Sequence, residues 1–217
     1  MTRFPRTTRI PRWLWRHGTA LVCVLWLLLG NGAAPAHNQA RPVSQYRWDV
    51  WQKEDGLPQN SVTTILQTRD GYLWLGTLEG LVRFDGQRFV IFDRQNTAEL
   101  RDNNIFALYE TRDGSLWIGT DGGGLVRYHD GKFALYSTQQ GLTQAKIRAL
   151  AEDQEGVLWI GTESGLVQFK DDKFTSYVIQ AGSTHVGVTA LRVTNDGSLW
   201  VGTDGGGLSQ YKNGGIK

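Results

Sequence analysis

A single cysteine in 217 residues, Cys23, lies inside an apolar run near the start, so the body of the chain has no thiol for a disulfide, a thiolate metal site or covalent catalysis. Histidine is almost as scarce. His17, His37, His129 and His185 stand far apart, two of them in loops of the body, and none has metal-ligand spacing, so no metal is expected. There is no nucleophile elbow and no phosphate-binding loop, and neither catalytic residues nor a cofactor are implied. Amphipathic helical patterns are missing as well, because 27 glycines and nine tryptophans suit turns and pleated surfaces instead. A hydrophobic share of 40% still suffices for a core, which excludes a disordered chain.

Acidic residues are absent from the first sixteen positions, which hold Arg3, Arg6, Arg9, Arg12 and Arg16. The formal charge of +2 therefore belongs to the leader, and the remainder is mildly acidic. Without a basic patch, no nucleic-acid partner is expected. The apolar run Ala20 to Leu29, then Gly30-Asn31-Gly32 and Ala34-Pro35-Ala36, predicts a secretory signal over residues 1–36 with cleavage after Ala36. The run is short of the roughly 20 residues that span a bilayer. An uncleaved signal anchor is the alternative, and Val22 before Cys23 argues against lipidation. Either way the body is exported, to the periplasm or the extracytoplasmic face of the inner membrane. Membrane attachment would come only through an uncleaved anchor or a C-terminal helix that this sequence lacks.

Past a short linker at residues 37–45, one motif returns four times. Leu73-Trp74-Leu75-Gly76-Thr77 recurs as Leu116-Trp117-Ile118-Gly119-Thr120, Leu158-Trp159-Ile160-Gly161-Thr162 and Leu199-Trp200-Val201-Gly202-Thr203. The tryptophans are 43, 42 and 41 residues apart, the period of β-propeller blades. Val62, Ile105, Ile147 and Val188 each precede their tryptophan by twelve residues. The predicted fold is all-β, a propeller of about four four-stranded antiparallel blades over residues 46–217. Blade boundaries fall at about 60–92, 103–136, 145–178 and 186–217. Asp70-Gly71, Asp113-Gly114 and Asp196-Gly197, with Glu155-Gly156 as the variant, predict two-residue hairpins whose central residues both take positive φ.

A blade buries only part of its apolar surface and must stack on its neighbours. Trp74, Trp117, Trp159 and Trp200 are therefore read as packing between blades rather than as stacking platforms for a substrate. Gly76, Gly119, Gly161 and Gly202 are read as making room for those rings. The glycine-rich Asp121-Gly122-Gly123-Gly124 and Asp204-Gly205-Gly206-Gly207 are read as tight turns. Residues 46–51 match a fourth strand without a blade, and Gly214 to Lys217 aligns with the start of one. Two readings follow: a four-bladed ring closed by residues 46–51, or the leading part of a longer ring.

Glu54-Asp55-Gly56-Leu57-Pro58-Gln59-Asn60-Ser61-Val62, the Leu-Trp-x-Gly-Thr cores and Glu79-Gly80-Leu81-Val82-Arg83-Phe84-Asp85-Gly86 resemble the two-component regulator propeller family from Tyr46 onward. The resemblance implies an extracytoplasmic sensor of the kind carried by histidine kinases, hybrid kinases or diguanylate cyclases. There, further repeats complete a larger, seven-bladed type of ring, followed by an immunoglobulin-like module, a membrane helix and an output domain. This chain departs in stopping after four repeats, before any helix or output domain. The function expected is non-catalytic ligand sensing, with a receptor dimer as a further expectation. A free-standing exported scaffold for protein partners is the alternative, and a carbohydrate-active propeller enzyme a more distant one.

Propellers present variable loops on a fixed scaffold. The lead-in loops Asp55 to Asn60, Asp93 to Asn104, Gln139 to Lys146 and Gln180 to Gly187 differ while the strands repeat. Arg101, Asp102, Asn103, Gln144, Lys146 and His185 carry donors and acceptors for a polar small molecule or oligosaccharide, and are the candidate ligand-binding residues. The exported chain is expected to begin at His37 when its N-terminus is read by mass spectrometry. Retention of residues 1–36 would make the leader an anchor.

Overall fold

The computed structural model describes residues 49–217 apart from 182, 183, 213 and 217. The signal segment, the linker and residues 46–48 of the expected closing strand lie outside the described residues. Alternating apolar runs form strands wherever a tight turn lets them return antiparallel. Blade 1 comprises β1 (Val62–Gln67), β2 (Leu73–Thr77), β3 (Gly80–Phe84) and β4 (Phe89–Phe92). Blade 2 comprises β5 (Ile105–Glu110), β6 (Leu116–Thr120), β7 (Leu125–His129) and β8 (Lys132–Tyr136). Blade 3 comprises β9 (Ile147–Glu152), β10 (Leu158–Thr162), β11 (Gly165–Lys170) and β12 (Lys173–Tyr177). A two-stranded ribbon, β13 (Gln180–Ala181) with β14 (Thr184–His185), leads into blade 4. That blade is β15 (Val188–Val193), β16 (Leu199–Thr203), β17 (Gly207–Lys212) and β18 (Gly215–Ile216). Every blade pairs its strands in sequence order, and the first strands of successive blades lie against one another. His129 ends β7 and is not a loop residue.

The Asp-Gly hairpins differ from expectation. Between the first and second strands only the glycine takes positive φ, at +93° for Gly71, +81° for Gly114, +83° for Gly156 and +78° for Gly197. In blade 2 Gly114 N donates to Thr111 O and Thr111 N to Ser115 O, a three-residue loop with its last residue left-handed. The aspartate is there for its carboxylate. Asp113 accepts from Thr111 Oγ1 at 2.6 Å and from Ser115 N at 3.0 Å, and Trp117 Nε1 donates back to Thr111 Oγ1 at 3.2 Å. Blade 1 repeats the buckle with Asp70, Thr68 and Trp74. In blade 3 Asp153 stands at the threonine position and takes the Trp159 Nε1 hydrogen itself at 2.8 Å. The buried indole N–H is thus satisfied by the turn that launches its own strand. The turn with two positive φ angles lies between third and fourth strands, at Asp130-Gly131 and at Asp171-Asp172.

Packing between blades follows one rule. Trp74 packs among Leu116, Ile118 and Tyr128 of blade 2, and Trp117 among Leu158, Ile160 and Phe169 of blade 3. Trp159 packs among Leu199, Val201 and Tyr211 of blade 4. The glycine two residues on serves a different neighbour from the one expected. A Cβ on Gly119 would fall 2.6 Å from Ile147 Cγ2, and one on Gly161 2.6 Å from Val188 Cγ1. A Cβ on Gly76 would fall 2.5 Å from Thr64 Cγ2 of its own blade and 3.0 Å from Ile105 Cγ2. These glycines make room for the β-branched residue that opens the next blade's first strand, and not for an indole.

Hairpin loops are tied across blades by a second repeated contact. Arg69 Nε lies 3.3 Å from Glu110 Oε2, and Arg69 also donates to the carbonyls of Thr111 and Arg112. Arg112 does the same to Glu152 and to the carbonyls of Asp153 and Gln154, and Gln154 Nε2 reaches Asn195 O at 2.8 Å.

At the front of blade 1, Trp51 meets Phe84 edge-on at 5.4 Å, and Val50 and Trp51 carry no strand assignment. Fourth-strand Tyr136 of blade 2 meets Phe169 of blade 3 in the same way at 5.2 Å. Val62 of blade 1 and Leu208 of blade 4 are both exposed. The four-bladed closed ring is therefore set aside, because those two faces would bury each other in it.

Gly119→Ala is expected to cost about 1–3 kcal/mol in urea unfolding, since the added methyl has backbone-anchored neighbours on two sides. Gly202→Ala, with only Ala190 Cβ at 3.3 Å, is expected to be close to neutral. Asp113 supplies a pH dependence. Desolvation pushes its carboxyl up, but Thr111, Ser115 and Arg127 outweigh it and hold the group at about 2, below the ordinary 3.8. A carboxyl lowered by folding stabilises above its unfolded value, and this contribution is lost as pH falls from 3.8 through about 2. Asp113→Asn is expected to flatten that acid limb in thermal melts recorded between those pH values.

Candidate functional site

Each first strand begins with one residue too many. β5 pairs Ile105 with Thr120 and then Ala107 with Gly119, which leaves Phe106 bulged out of the ladder. The same shift leaves out Thr63, Arg148 and Thr189 in the other blades. A bulge re-aims one side chain, and such irregularities concentrate at the rims of sheets and near sites. First strands of successive blades lie against one another, and the bulges, set where the lead-in loops arrive, share one end of this inner rim. Flanking residues repeat as Val or Ile, then Thr or Ala, whereas the bulged positions read Thr, Phe, Arg and Thr.

Two of these side chains touch. The Arg148 guanidinium lies over the Phe106 ring at 4.5 Å, and its Nη2 is 2.8 Å from Asp121 Oδ1 of the preceding blade. That contact is an ion pair without hydrogen-bond alignment, since Asp121 Oδ1 is a buried atom with no hydrogen-bond partner. Arg148 and Asp121 are each 31% exposed, so solvent reaches both. The loop carrying Asp121 is held on either side: Asp121 N donates to Asn104 O at 3.0 Å and Gly124 N to Ala145 O at 3.1 Å. A Cβ on Gly123 would come 2.7 Å from Asp102 N, so glycine there permits the approach of the two loops.

The six residues singled out from sequence fall around this rim with unequal roles. Asp102 Oδ1 accepts from Asn104 N at 3.0 Å, and Asn103 Oδ1 from Arg94 N at 2.9 Å, so both shape their loop. Gln144 Oε1 accepts from Ala145 N, and Lys146 Nζ lies 3.2 Å from Glu163 Oε2. Arg101 is exposed. The backbone of His185 pairs with Gln180, and its side chain lies outside the described residues. Phe106 and Arg148 lie within strand patterns and Asp121 at a glycine-rich turn, so sequence alone gives them no role in a site. The readable signal was variation at a fixed register inside an otherwise repeated strand.

Two other features resemble sites. Ser115 Oγ lies 3.1 Å from His129 Nδ1, and His129 Nε2 3.5 Å from Asp130 Oδ2, a serine, a histidine and a carboxylate in series. Ser115 is fully buried, its hydroxyl donates to Asp113 Oδ2 at 2.9 Å and it accepts from Arg127 Nε at 2.8 Å. Its counterpart Ser198 has the same bond to Asp196 and takes Gln210 Nε2 in place of the arginine and histidine. The arrangement belongs to the hairpin buckle and not to a nucleophile. A groove of about 580 Å³ on the hairpin side runs between blades 2 and 3. Of its charges, Arg112 pairs with Glu152 across it and Arg127 with Asp113 along its blade 2 wall. Among the described residues no cluster of histidine, cysteine or carboxylates could hold a metal, and no helix is long and apolar enough to cross a membrane.

The model of the two-component regulator propeller family matches residues 56–79, 99–122, 141–164 and 182–205, each running from a lead-in loop to the end of a second strand. The chain is similar to the extracellular domain of a hybrid two-component system from Bacteroides thetaiotaomicron, with 26% identity and a TM-score of 0.69 over 78% of this chain and 26% of that one. It is also similar to the extracellular domain of a one-component system from the same organism, with 29% identity and a TM-score of 0.57 over 72% of this chain and 22% of that one. A stretch of 38 residues, 18% of this chain, is 53% identical to 3% of histidine kinase P4 of Formosa agariphila. The chain thus spans about a quarter of the solved extracellular domains and a small part of the kinase. Virginiamycin B lyase of Staphylococcus aureus, at 17% identity and a TM-score of 0.60, shares the fold alone.

Proposed function

We propose that this chain, which carries four repeats of the two-component regulator propeller family, is ligand-recognising propeller of an extracytoplasmic receptor and contributes no chemistry of its own. The observation that carries the reading is the stack of Phe106, Arg148 and Asp121 at the inner rim, drawn from two blades and one intervening loop. An aromatic face beside a charged donor and a carboxylate suits a polyhydroxylated ligand, whose ring C–H face lies on the aromatic while its hydroxyls bridge donor and acceptor. Such groups on rigid strands, surrounded by loops that vary from blade to blade, form a site that can change specificity without disturbing the scaffold. Support for the location comes from the similar solved domains, which are extracellular parts of signalling systems, and from the arginine-led leader.

In this reading Arg148 is the anchor, Phe106 its platform and Asp121 the carboxylate beside the guanidinium. Lys146 with Glu163, and Gln144, line the approach. The output domain and membrane helix belong to a longer receptor of which this chain would be the sensing part.

A panel of neutral and acidic oligosaccharides, screened by thermal shift and followed by calorimetry, tests the proposal. A binder is expected whose affinity falls at least tenfold in Arg148→Ala and in Phe106→Ala, with melting temperatures of the free variants little changed. Binding that survives both substitutions would overturn the assignment of the rim, and no binder across the panel would overturn the saccharide reading.

A further inference from the structure

Each blade pairs its tryptophan with one polar residue of the third strand: Trp74 with Arg83, Trp117 with Arg127, Trp159 with Gln168 and Trp200 with Gln210. Three of these four polar side chains are engaged by the protein itself. Arg127 Nε donates to Ser115 Oγ at 2.8 Å, and its Nη2 lies 3.0 Å from Asp113 Oδ2. Gln210 Nε2 donates to Ser198 Oγ at 2.9 Å, and Gln168 Oε1 accepts from Tyr177 OH at 3.2 Å. Arg83 pairs with no carboxylate among the described residues. Its one hydrogen bond there, from Nη1 to Tyr128 OH, is 3.5 Å long, the far end of the range.

The difference comes from residue 72. Two residues before the tryptophan, blades 2 and 4 carry Ser115 and Ser198 and blade 3 carries Val157, whereas blade 1 carries Tyr72. In blades 2 and 4 the serine hydroxyl donates to Oδ2 of the turn aspartate, and a cation, Arg127 or Lys212, completes the set. Tyr72 puts a ring where that hydroxyl would be. Asp70 then accepts through Oδ1 only, from Thr68 Oγ1 and Tyr72 N. Arg83 lies over the tyrosine instead, its guanidinium carbon 4.6 Å from the ring centre, with Trp74 at 5.8 Å and Phe92 at 6.0 Å. Aromatic faces attract a cation without occupying its N–H groups. A half-buried guanidinium thus keeps all but one of its donors unfilled by the protein.

The surface beside this charge is apolar. Val90 stands directly opposite Arg83 on the same face of the sheet and is 40% exposed, and Tyr72 and Tyr128 are each partly exposed. We propose that the hairpin side of the junction between blades 1 and 2 holds a second binding site, which takes a carboxylate carried on an aromatic or apolar body. The N–H fork of Arg83 receives the carboxylate, a match of two parallel bonds that an aromatic-backed guanidinium is already placed to make. Val90 and the rings of Tyr72 and Tyr128 cover the body of the ligand. Both blades of this junction are present in the chain, so the site owes nothing to a face left open at either end of the stack. It also lies at the opposite end of the strands from Phe106 and Arg148, and is independent of the saccharide reading.

Phenylacetate is the probe and 2-phenylethanol its uncharged counterpart, each titrated into the full chain at low ionic strength and followed by ligand-observed NMR. Phenylacetate is expected to bind in the millimolar range or below, and the alcohol at least tenfold more weakly. Arg83→Gln installs the residue that blades 3 and 4 carry at this position, so it is expected to keep the melting temperature and to weaken phenylacetate at least tenfold. Arg127→Gln, the same change one blade on, is expected to leave the affinity as it was. Tyr72→Ser is expected to abolish binding with Arg83 still in place, because the serine hydroxyl rebuilds the bonded set with Asp70. Equal affinity for acid and alcohol would overturn the proposal. So would binding that survives Arg83→Gln, full affinity in Tyr72→Ser, or no binding of phenylacetate at millimolar concentration.

Discussion

The close approach of a first-strand valine or isoleucine to a second-strand glycine is the contact on which the stack depends. Strands of neighbouring blades come this near only where one partner has no Cβ, and a β-branched residue then fills the space with few rotamers to lose. Because the glycine lies two residues past the tryptophan, the same strand sets both contacts. The indole covers the body of the next blade while the glycine receives its leading edge. The threonine and aspartate of the hairpin satisfy the indole nitrogen, so a large amphipathic ring is buried without an orphaned donor.

Much of this was legible because it repeats. Tryptophans 41 to 43 residues apart and apolar residues twelve before each of them gave the blade, its strands and its register. The partner of each glycine was not legible, because it lies about thirty residues downstream and only stacking brings it near. Turn type was misjudged for a related reason. Asp-Gly was read for its φ preference, whereas Asp113 and Asp196 are retained for hydrogen bonds to threonine and serine that need a carboxylate. Asp130-Gly131, the same dipeptide between third and fourth strands, is a turn with two positive angles.

The rim shows the opposite limit. Arg101, Asp102 and Asn103 were picked out because they sit in a polar loop, yet two of the three spend their side chains on that loop's own backbone. Phe106 and Arg148 sit inside strands whose neighbours are packing residues, and alternation alone would point both to the face opposite Ile105 and Ile147. The bulge breaks that alternation, and a bulge is invisible in a sequence until four copies are aligned and one column fails to agree. Function in this scaffold is therefore written in the column that does not repeat.

The arginine contacts across the hairpin side have a direction. Arg69 reaches forward to blade 2, Arg112 forward to blade 3 and Gln154 forward to blade 4. Each such pair is exposed on one side and contributes modestly to stability, but no blade reaches back by this route. Blades 2 and 3 carry both parts, Glu110 with Arg112 and Glu152 with Gln154, whereas the carboxylate position is Gln67 in blade 1 and Val193 in blade 4. The hairpin side is thereby ordered from blade 1 towards blade 4, each loop being held by the side chain of the blade behind it.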